Sequence, residues 1–293
     1  MLKIQDIILK IKYVIKSKAF EKKPLTIIFR VILVILLSLI RLNIKYKVLC
    51  KQSSFIYTLN QQNQIGLGGR GQFILREFYD PFFSCGDKLF LKKFNFIDIG
   101  CSRGFFSMYL LKLRGLKSKG LCIEPLKNAI YDFKKILNLN NINNVKIING
   151  VISNQSNKKI PLYQVNEKHG YFSIFKDVRF ADNKSPKKIN VKSYTIDELI
   201  IKYKKLKNVE LIKIDAEGAE LEILLKGTKT INKFRPIIYC EVTRKKKKIL
   251  NFLKNKNYKL FAISNGKIRK LNPKNFEGDL LAINKKSNLI NQF

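Results

Sequence analysis

"FIDIGCSRGFFS", residues 96–107, carries the reading of the fold. A short apolar run reaches Asp98, a turn holds Gly100 and Gly104, and an apolar segment resumes at once. That is a buried strand passing through a tight turn into a helix. Glycine at 100 and 104 lets the backbone pass close to a ligand where a side chain would stand in the way. The helix N-terminus beyond the turn favours an anion. The spacing is not the G-x-G-x-x-G of a dinucleotide-binding turn, and the Lys-Ser/Thr of a P-loop is missing.

Outward from this turn the pattern repeats. "KGLCIE" reads as a strand, "LKNAIYDFKKILNLN" as a helix with apolar positions at 130, 133, 136 and 137, and "VKIINGVI" as a strand. Further on, "KINVKSY" is a strand and "TIDELIIKY" a helix. The latter opens with Thr195 and Glu198 in capping-box spacing. "VELIKI" leads to a helix from about 219 to Gly227; "PIIYCEV", "KKKKILNFLKNK", "YKLFAIS" and "GDLLAIN" follow as strand, helix, strand, strand. Alternating elements of this kind make βαβ units on a parallel sheet. The polar middle, 154–188, resists assignment, "NQQNQIGLGGRGQF" (60–73) reads as a loop, and "ILREFYDPFF" (74–83) as a short helix. The expected organisation is N-terminal helices over 1–45, a connecting segment over 46–93, one domain over 94–284 and a tail over 285–293.

The chain has 293 residues and a formal net charge of +37, from 58 Lys and Arg against 21 Asp and Glu. Such a surface attracts polyanions, although Lys, Asn and Ile are all overused, as an AT-rich genome would also produce. Five widely spaced cysteines without a CxxC pair, and a single histidine, argue against a zinc site or a disulfide framework. Buried thiols in a reducing compartment fit better. Residues 1–18 carry Ile and Val at helical spacing among lysines, the pattern of a basic helix lying on an anionic membrane surface. After Pro24, the apolar segment 25–42 is interrupted by Arg30 and Ser38. An interfacial anchor is the favoured reading, ahead of a helix packed on the domain or a true span.

Two further elements share the rim where open α/β sheets bind ligands. Glu124 ends the second strand in "CIEPL", where such folds hold a ribose through both hydroxyls; the plainer reading is a charge complementing a helix dipole. "LIKIDAEGAELEIL", 211–224, packs Asp215, Glu217, Glu220 and Glu222 into eight residues of a strongly basic chain. Asp215 is the acid expected to face a site, with Glu220 and Glu222 serving a helix N-terminus.

Together, "FIDIGCSRGFFS", "CIEPL", "LNNINNVKIINGVIS", "VKSYTIDEL", "LIKIDAEGAELEIL" and "RPIIYCEV" resemble an FkbM-type S-adenosylmethionine-dependent methyltransferase over roughly 94–284. The resemblance implies an α/β class I methyltransferase fold, Rossmann-like, with a seven-stranded, mostly parallel sheet and helices on both faces. It implies S-adenosyl-L-methionine as cofactor and O-methylation of a saccharide, glycolipid or related metabolite. It places Asp98, Gly100, Ser102 and Gly104 along the methionine part, Glu124 at the ribose, and Asn149 or Gly150 near the adenine. Cys101 and Ser102 stand where the family reads Ala-Asn; Ser102 loses the longer amide reach. Candidates for acid–base work are Asp215, Glu217 and His169. Some O-methyltransferases use magnesium, but no metal is expected. An RNA methyltransferase is the alternative, yet neither an RNA-binding module nor an N-P-P-Y-like motif occurs, so nucleic acid is not the expected partner. A catalytically weak membrane-attached binding protein is the other alternative. The expected location is the cytoplasm, on the inner face of the membrane through residues 1–45.

Overall fold

The computed structural model describes residues 24–39, 44–50, 53–59, 94–112, 118–166, 171–175, 188–204, 206–264, 267–274, 276 and 278–292. The expected helix at 1–18, the loop at 60–73 and the helix at 74–83 lie outside the described residues.

Helix α1 (Pro24–Leu39) comes first. Pro24 occupies its first turn, where a missing N–H costs nothing, so it starts the helix. A hairpin of β1 (Ile44–Cys50) and β2 (Ser53–Leu59) follows. The βα units then run β3 (Asn95–Ile99), α2 (Phe105–Lys112), β4 (Lys119–Glu124), α3 (Lys127–Leu139) and β5 (Val145–Asn149). The hard-to-read middle supplies β6 (Val151–Ile152), β7 (Lys159–Asn166) and β8 (Tyr171–Ser173). With β9 (Lys188–Tyr194) they form a separate four-stranded sheet, ordered β6-β9-β7-β8. The chain returns through α4 (Ile196–Lys202), β10 (Leu211–Ile214), α5 (Glu220–Lys226), α6 (Thr228–Phe234) and β11 (Ile237–Val242). It closes with α7 (Lys246–Asn255), β12 (Tyr258–Ser264), β13 (Lys267–Lys270), β14 (Gly278–Asn284) and a 3-10 turn at Asn288–Gln292.

The central sheet has order β13-β12-β14-β11-β10-β3-β4-β5, eight strands rather than the expected seven. The extra strand is β13, paired antiparallel to β12 from Ser264 opposite Lys267. "KIRK" is too basic to read as a strand, yet Asn265–Gly266 between the two runs is the common dipeptide of two-residue hairpins. Lysines on an edge strand also discourage pairing with another chain. The five strands from β5 to β11 are parallel, and β14 is antiparallel to both its neighbours.

The connections explain the two cores. From β3 the chain steps outward to β4 and β5; it then returns to β10, on the other side of β3, and steps to β11. The right-handed crossover rule therefore puts α2 and α3 on one face, and the helices around β10 and β11 on the other. The first core joins Phe96, Cys122, Leu211 and Tyr239 to α2, α3, Ile27 of α1 and Tyr57 of β2. The second joins Ile97, Ile123, Ile212 and Cys240 to α4, α5 and α7. Strands buried on both faces need largely apolar runs, which "GLCI" and, Asp98 apart, "FIDI" supply. The switch point lies between β3 and β10, where such sheets open a ligand crevice.

Part of the expected connecting segment is thus structural. The β1–β2 hairpin is tied to the end of α3 by Asn140, whose side chain accepts from Ile56 N (2.7 Å) and donates to Ile56 O (2.8 Å). Helix α1 buries Ile27 and Arg30 and leaves Leu25, Ile28, Phe29, Ile32 and Leu36 exposed. Among the described residues, no helix is long and apolar enough to cross a membrane. The capping box at α4 is present: Glu198 N donates to Thr195 Oγ1 (3.2 Å), and Thr195 N reaches Glu198 Oε2 (3.5 Å).

Gly104 sets how α2 and α3 meet. Its φ is +74°, and a Cβ there would lie 2.0 Å from the Phe133 ring of α3. Gly104→Ala should therefore lower stability by about 2 kcal/mol or more, from left-handed strain plus overpacking. In urea denaturation, adding Phe133→Leu should recover part of that loss. Strict additivity of the two substitutions would refute the packing explanation.

Candidate functional site

The site begins at the turn after β3. Gly100 N and Cys101 N both donate to Ile123 O (3.0 and 3.2 Å), so the turn is laced to the end of β4. Gly104 N closes it on Cys101 O (2.8 Å). Gly100, with φ +75°, has a reason other than ligand approach: a Cβ there would sit 1.9 Å from the Asp215 carbonyl oxygen. The glycine lets the β3 turn lie directly against the end of β10.

Strand registers place Glu124, Gly100, Asp215, Glu241 and Asp279 side by side along one rim. Ile99 pairs with Ile123 and Ile214, Ile214 with Cys240, and Glu241 with Asp279. One pleat below, Lys213 on β10 pairs with Asp98 on β3. Its Nζ lies 3.1 Å from Asp215 Oδ2, 3.3 Å from Gly100 O and 3.5 Å from Asp98 Oδ1. Burial opposes the charge on Lys213, but Asp215 and then Asp98 outweigh it and raise its pKa above the usual lysine value. Asp98 is completely buried, which raises its pKa; Lys213 and the Ser107 hydroxyl (2.6 Å) only partly offset this.

A cavity of about 920 Å³, counting its open mouth, lies over this rim at the switch point. Ile99, Gly100 and Ser102 form one wall, and Glu124 to Leu126 the next. Gly150 to Ile152 continue from β5, and the 215–219 turn closes the far side. Leu162 and Ile174 reach in from the small sheet.

Glu124 is almost fully buried, and each of its oxygens accepts one backbone N–H, from Ser102 and from Leu126 (both 2.9 Å). An ionised carboxylate has about four acceptor sites, so each oxygen keeps capacity for a hydroxyl. Burial pushes its pKa up to about 7, against the two N–H donors. Ser102 lies at φ +49°, with its side chain exposed. Its N–H holds Glu124, and the residue itself lines the cavity. Asparagine tolerates that backbone better than serine, so the departure at 102 adds backbone strain.

The opposite wall is also constrained. Glu217 is at φ +49°, its carbonyl accepting from the buried Ser173 hydroxyl of β8 (2.8 Å). Gly218 N donates to Glu220 Oε1 (2.7 Å), and Thr243 Oγ1 reaches both oxygens of Glu220 (3.2 Å). Phe175 follows Ser173 with its ring against Arg244 (4.6 Å), so the small sheet is docked on this turn. Burial, then Asp215 and Glu220, push Glu217 up to about 7; burial, Asp215 and Asp279 push Glu241 to about 8.

The structure thus brings together Gly100, Ser102, Glu124, Gly150, Asp215 and Glu217 as cavity lining. Asp98 sits behind the turn and Gly104 beneath Phe133, so neither lines the cavity. Asn149 donates to Glu124 O (3.2 Å) and Pro125 O (2.7 Å), bracing the turn after β4. His169 lies outside the described residues. Glu220 is buried within the turn, where it accepts from Gly218 N just before α5, and Glu222 pairs with Lys245 (2.5 Å) rather than serving the helix N-terminus. Lys213 and Ser173 were not foreseen; a lysine in the otherwise apolar "LIKI" was the available signal for the first.

A parallel sheet with a switch-point cavity, a glycine turn and an acid ending the second strand defines a class I methyltransferase architecture. The chain belongs to the FkbM methyltransferase family: the methyltransferase FkbM domain matches residues 98–260. The family's methyl donor is S-adenosylmethionine. Among solved structures, the FkbM methyltransferase from Methylobacillus flagellatus KT is 14% identical, with a TM-score of 0.42. The alignment covers 75% of this chain and 56% of that one, so the chain spans little more than half its length. Aeropyrum pernix fibrillarin with natively bound S-adenosyl-L-methionine is 10% identical (TM-score 0.38; 68% and 72% covered). A putative rRNA methylase from Clostridium thermocellum is 15% identical (TM-score 0.38; 70% and 93% covered). No curated protein matches the chain.

Two outcomes follow from this geometry. Ser102→Asn should stabilise the protein by up to about 1 kcal/mol, seen as a higher urea midpoint, because the N–H to Glu124 is kept and strain is relieved. Glu124, Glu217 and Glu241 hold protons in the fold at pH values where the unfolded chain has released them. The native state then binds more protons than the unfolded one between about 4.5 and about 8, and their contribution to stability is lost as pH rises through that window. Melting temperatures of Glu124→Gln should decline less steeply over this range than those of the wild type; an identical slope would contradict the raised carboxyl.

Proposed function

We propose that this FkbM-family protein O-methylates a hydroxyl of a saccharide, glycolipid or related metabolite. The observation that carries the proposal is one cavity lined by Glu124 and Gly100 on one side and by Asp215 and Glu217 on the other. The residues present suit the cofactor. Glu124 keeps an acceptor position on each oxygen for the two ribose hydroxyls, and Gly150 and Ile152 border the volume beyond it. Gly100 exposes the edge of its turn next to Asp215. Bound there, S-adenosylmethionine supplies a methyl group activated on a sulfonium.

The chain's own task is to orient the acceptor and take its proton. Asp215 Oδ2 is already engaged by Lys213 (3.1 Å), which fits an orienting acceptor for the substrate hydroxyl. Among the described residues Glu217 has no such partner, and its proton affinity sits near 7, which suits a base at a neutral operating pH. Glu217 would take the hydroxyl proton of the acceptor, leaving its oxygen as the nucleophile toward the methyl group that S-adenosylmethionine would supply, with the thioether as leaving group. Positioning supplies much of the remaining rate. The exposed apolar side of α1 and the net charge of +37 support presentation of the acceptor at an anionic lipid surface.

Calorimetry with S-adenosylhomocysteine should show one site per chain, weakened at least tenfold by Glu124→Ala. Incubation with labelled methyl donor and fractionated cell extract should place the label in a saccharide or glycolipid, with Glu217→Gln reducing the rate by about 10²-fold or more. Label recovered in RNA, or unchanged turnover by Glu217→Gln, would overturn the reading.

A further inference from the structure

Lys213 stands out because it is a lysine within a four-residue strand whose residues are all buried. Packing alone does not call for it. Leucine or isoleucine would fill the position, and the strand's other three residues are of that kind. Its ammonium instead contacts three groups from two segments: Asp98 and the Gly100 carbonyl from β3 and its turn, and Asp215 from the end of its own strand. The ring of Phe106 on α2 closes the fourth side, 5.6 Å away.

We propose that Lys213 is a positioning residue of the cofactor site, the buried ammonium that ties the Gly100 turn to the Asp215 carboxylate and serves as shared counter-charge for the rim. This rests on the reading of the cavity as the S-adenosylmethionine site. Among the described residues, neither Gly100 nor Asp215 has another strong restraint at the cavity side. Gly100 is held from β4 through its N–H only, and Asp215 N is held by Ile99 O (3.1 Å). The ammonium fixes the carbonyl of the first and the side chain of the second.

The charge reaches further. Lys213 lowers the proton affinity of Asp98 from β3 and Glu124 from β4. It does the same to Glu217 in the turn, Glu241 on β11 and Asp279 on β14. Glu124 faces, besides Lys213, the N–H groups of Leu126 and Ser102 and the opposing charge of Asp215. With the ammonium gone, Glu124 would keep its proton to higher pH, and a protonated Glu124 offers the ribose fewer acceptor positions.

The test is S-adenosylhomocysteine affinity by calorimetry between pH 5.5 and pH 9, a window of about 1.5 to 2 units either side of the Glu124 midpoint. Wild type, Lys213→Arg, and the double variant Lys213→Met with Asp98→Asn are compared. The double variant leaves no orphaned carboxylate beneath the turn, so it should fold even where Lys213→Met alone does not. Wild-type affinity should rise with pH around a midpoint near 7. In the double variant the midpoint should move up by roughly 0.5–1 unit, which at pH 7 lowers affinity by about two- to fivefold. Lys213→Arg keeps the charge and should hold the midpoint within a few tenths of a unit of wild type.

A merely structural lysine would lower affinity by one factor at every pH and leave the midpoint in place. That result, or an unchanged profile, overturns the inference. Absence of S-adenosylhomocysteine binding by the wild type would instead overturn the cofactor reading, and this inference with it.

Discussion

A single buried ammonium beneath the rim of the sheet is the constraint on which the site depends. Moving a charge out of water costs several kcal/mol even after relaxation, so Lys213 is tolerable only with anions and a carbonyl around it. Those partners come from both sides of the topological switch point, Asp98 and Gly100 on β3 and Asp215 on β10. The electrostatic need and the crevice therefore fall at the same place. The sheet opens between β3 and β10 because the chain reverses there, and the lysine bridges that opening from below.

The glycines acquire their meaning from the same contact. Gly100 lies so close to the Asp215 carbonyl that a Cβ has no room, and that proximity lets one ammonium reach the carbonyl of the first and the carboxylate of the second. Gly104 does the corresponding work against Phe133 and so sets the first turn of α2. Both were expected to make way for a ligand. Both make way for protein, and the ligand-facing surface follows from how closely the protein closes on itself.

Much of this was legible in the chain. Alternating apolar runs and helical periods identified the parallel sheet, since a strand covered on both faces must read as a short uninterrupted apolar segment. Thr195 and Glu198 announced the start of α4 through spacing alone. Glu124 and Asp215 were placed on one rim because both close apolar strands. What escaped depended on partners distant in sequence. The small sheet is built from "KIPLYQVN" and "YFS", whose polar residues mask any alternation, and its Ser173 matters through a bond to Glu217 that no local pattern implies. The role of Asn149 as a brace for Glu124 and Pro125 likewise needs the register of β4 with β5.

The charge of the chain can now be set against its site. With 58 basic residues, the protein's outer field favours approach of anions, yet the rim past the cavity carries Asp215, Glu217, Glu241 and Asp279 with one lysine below them. Burial, and after it the neighbouring carboxylates, raises the proton affinity of Glu217 and Glu241. A phosphate drawn by the surface would meet growing repulsion at this rim, whereas an uncharged hydroxyl would meet hydrogen-bond acceptors. The far field and the rim thus differ in sign. On the proposed function, the first would suit an anionic surface and the second an uncharged acceptor.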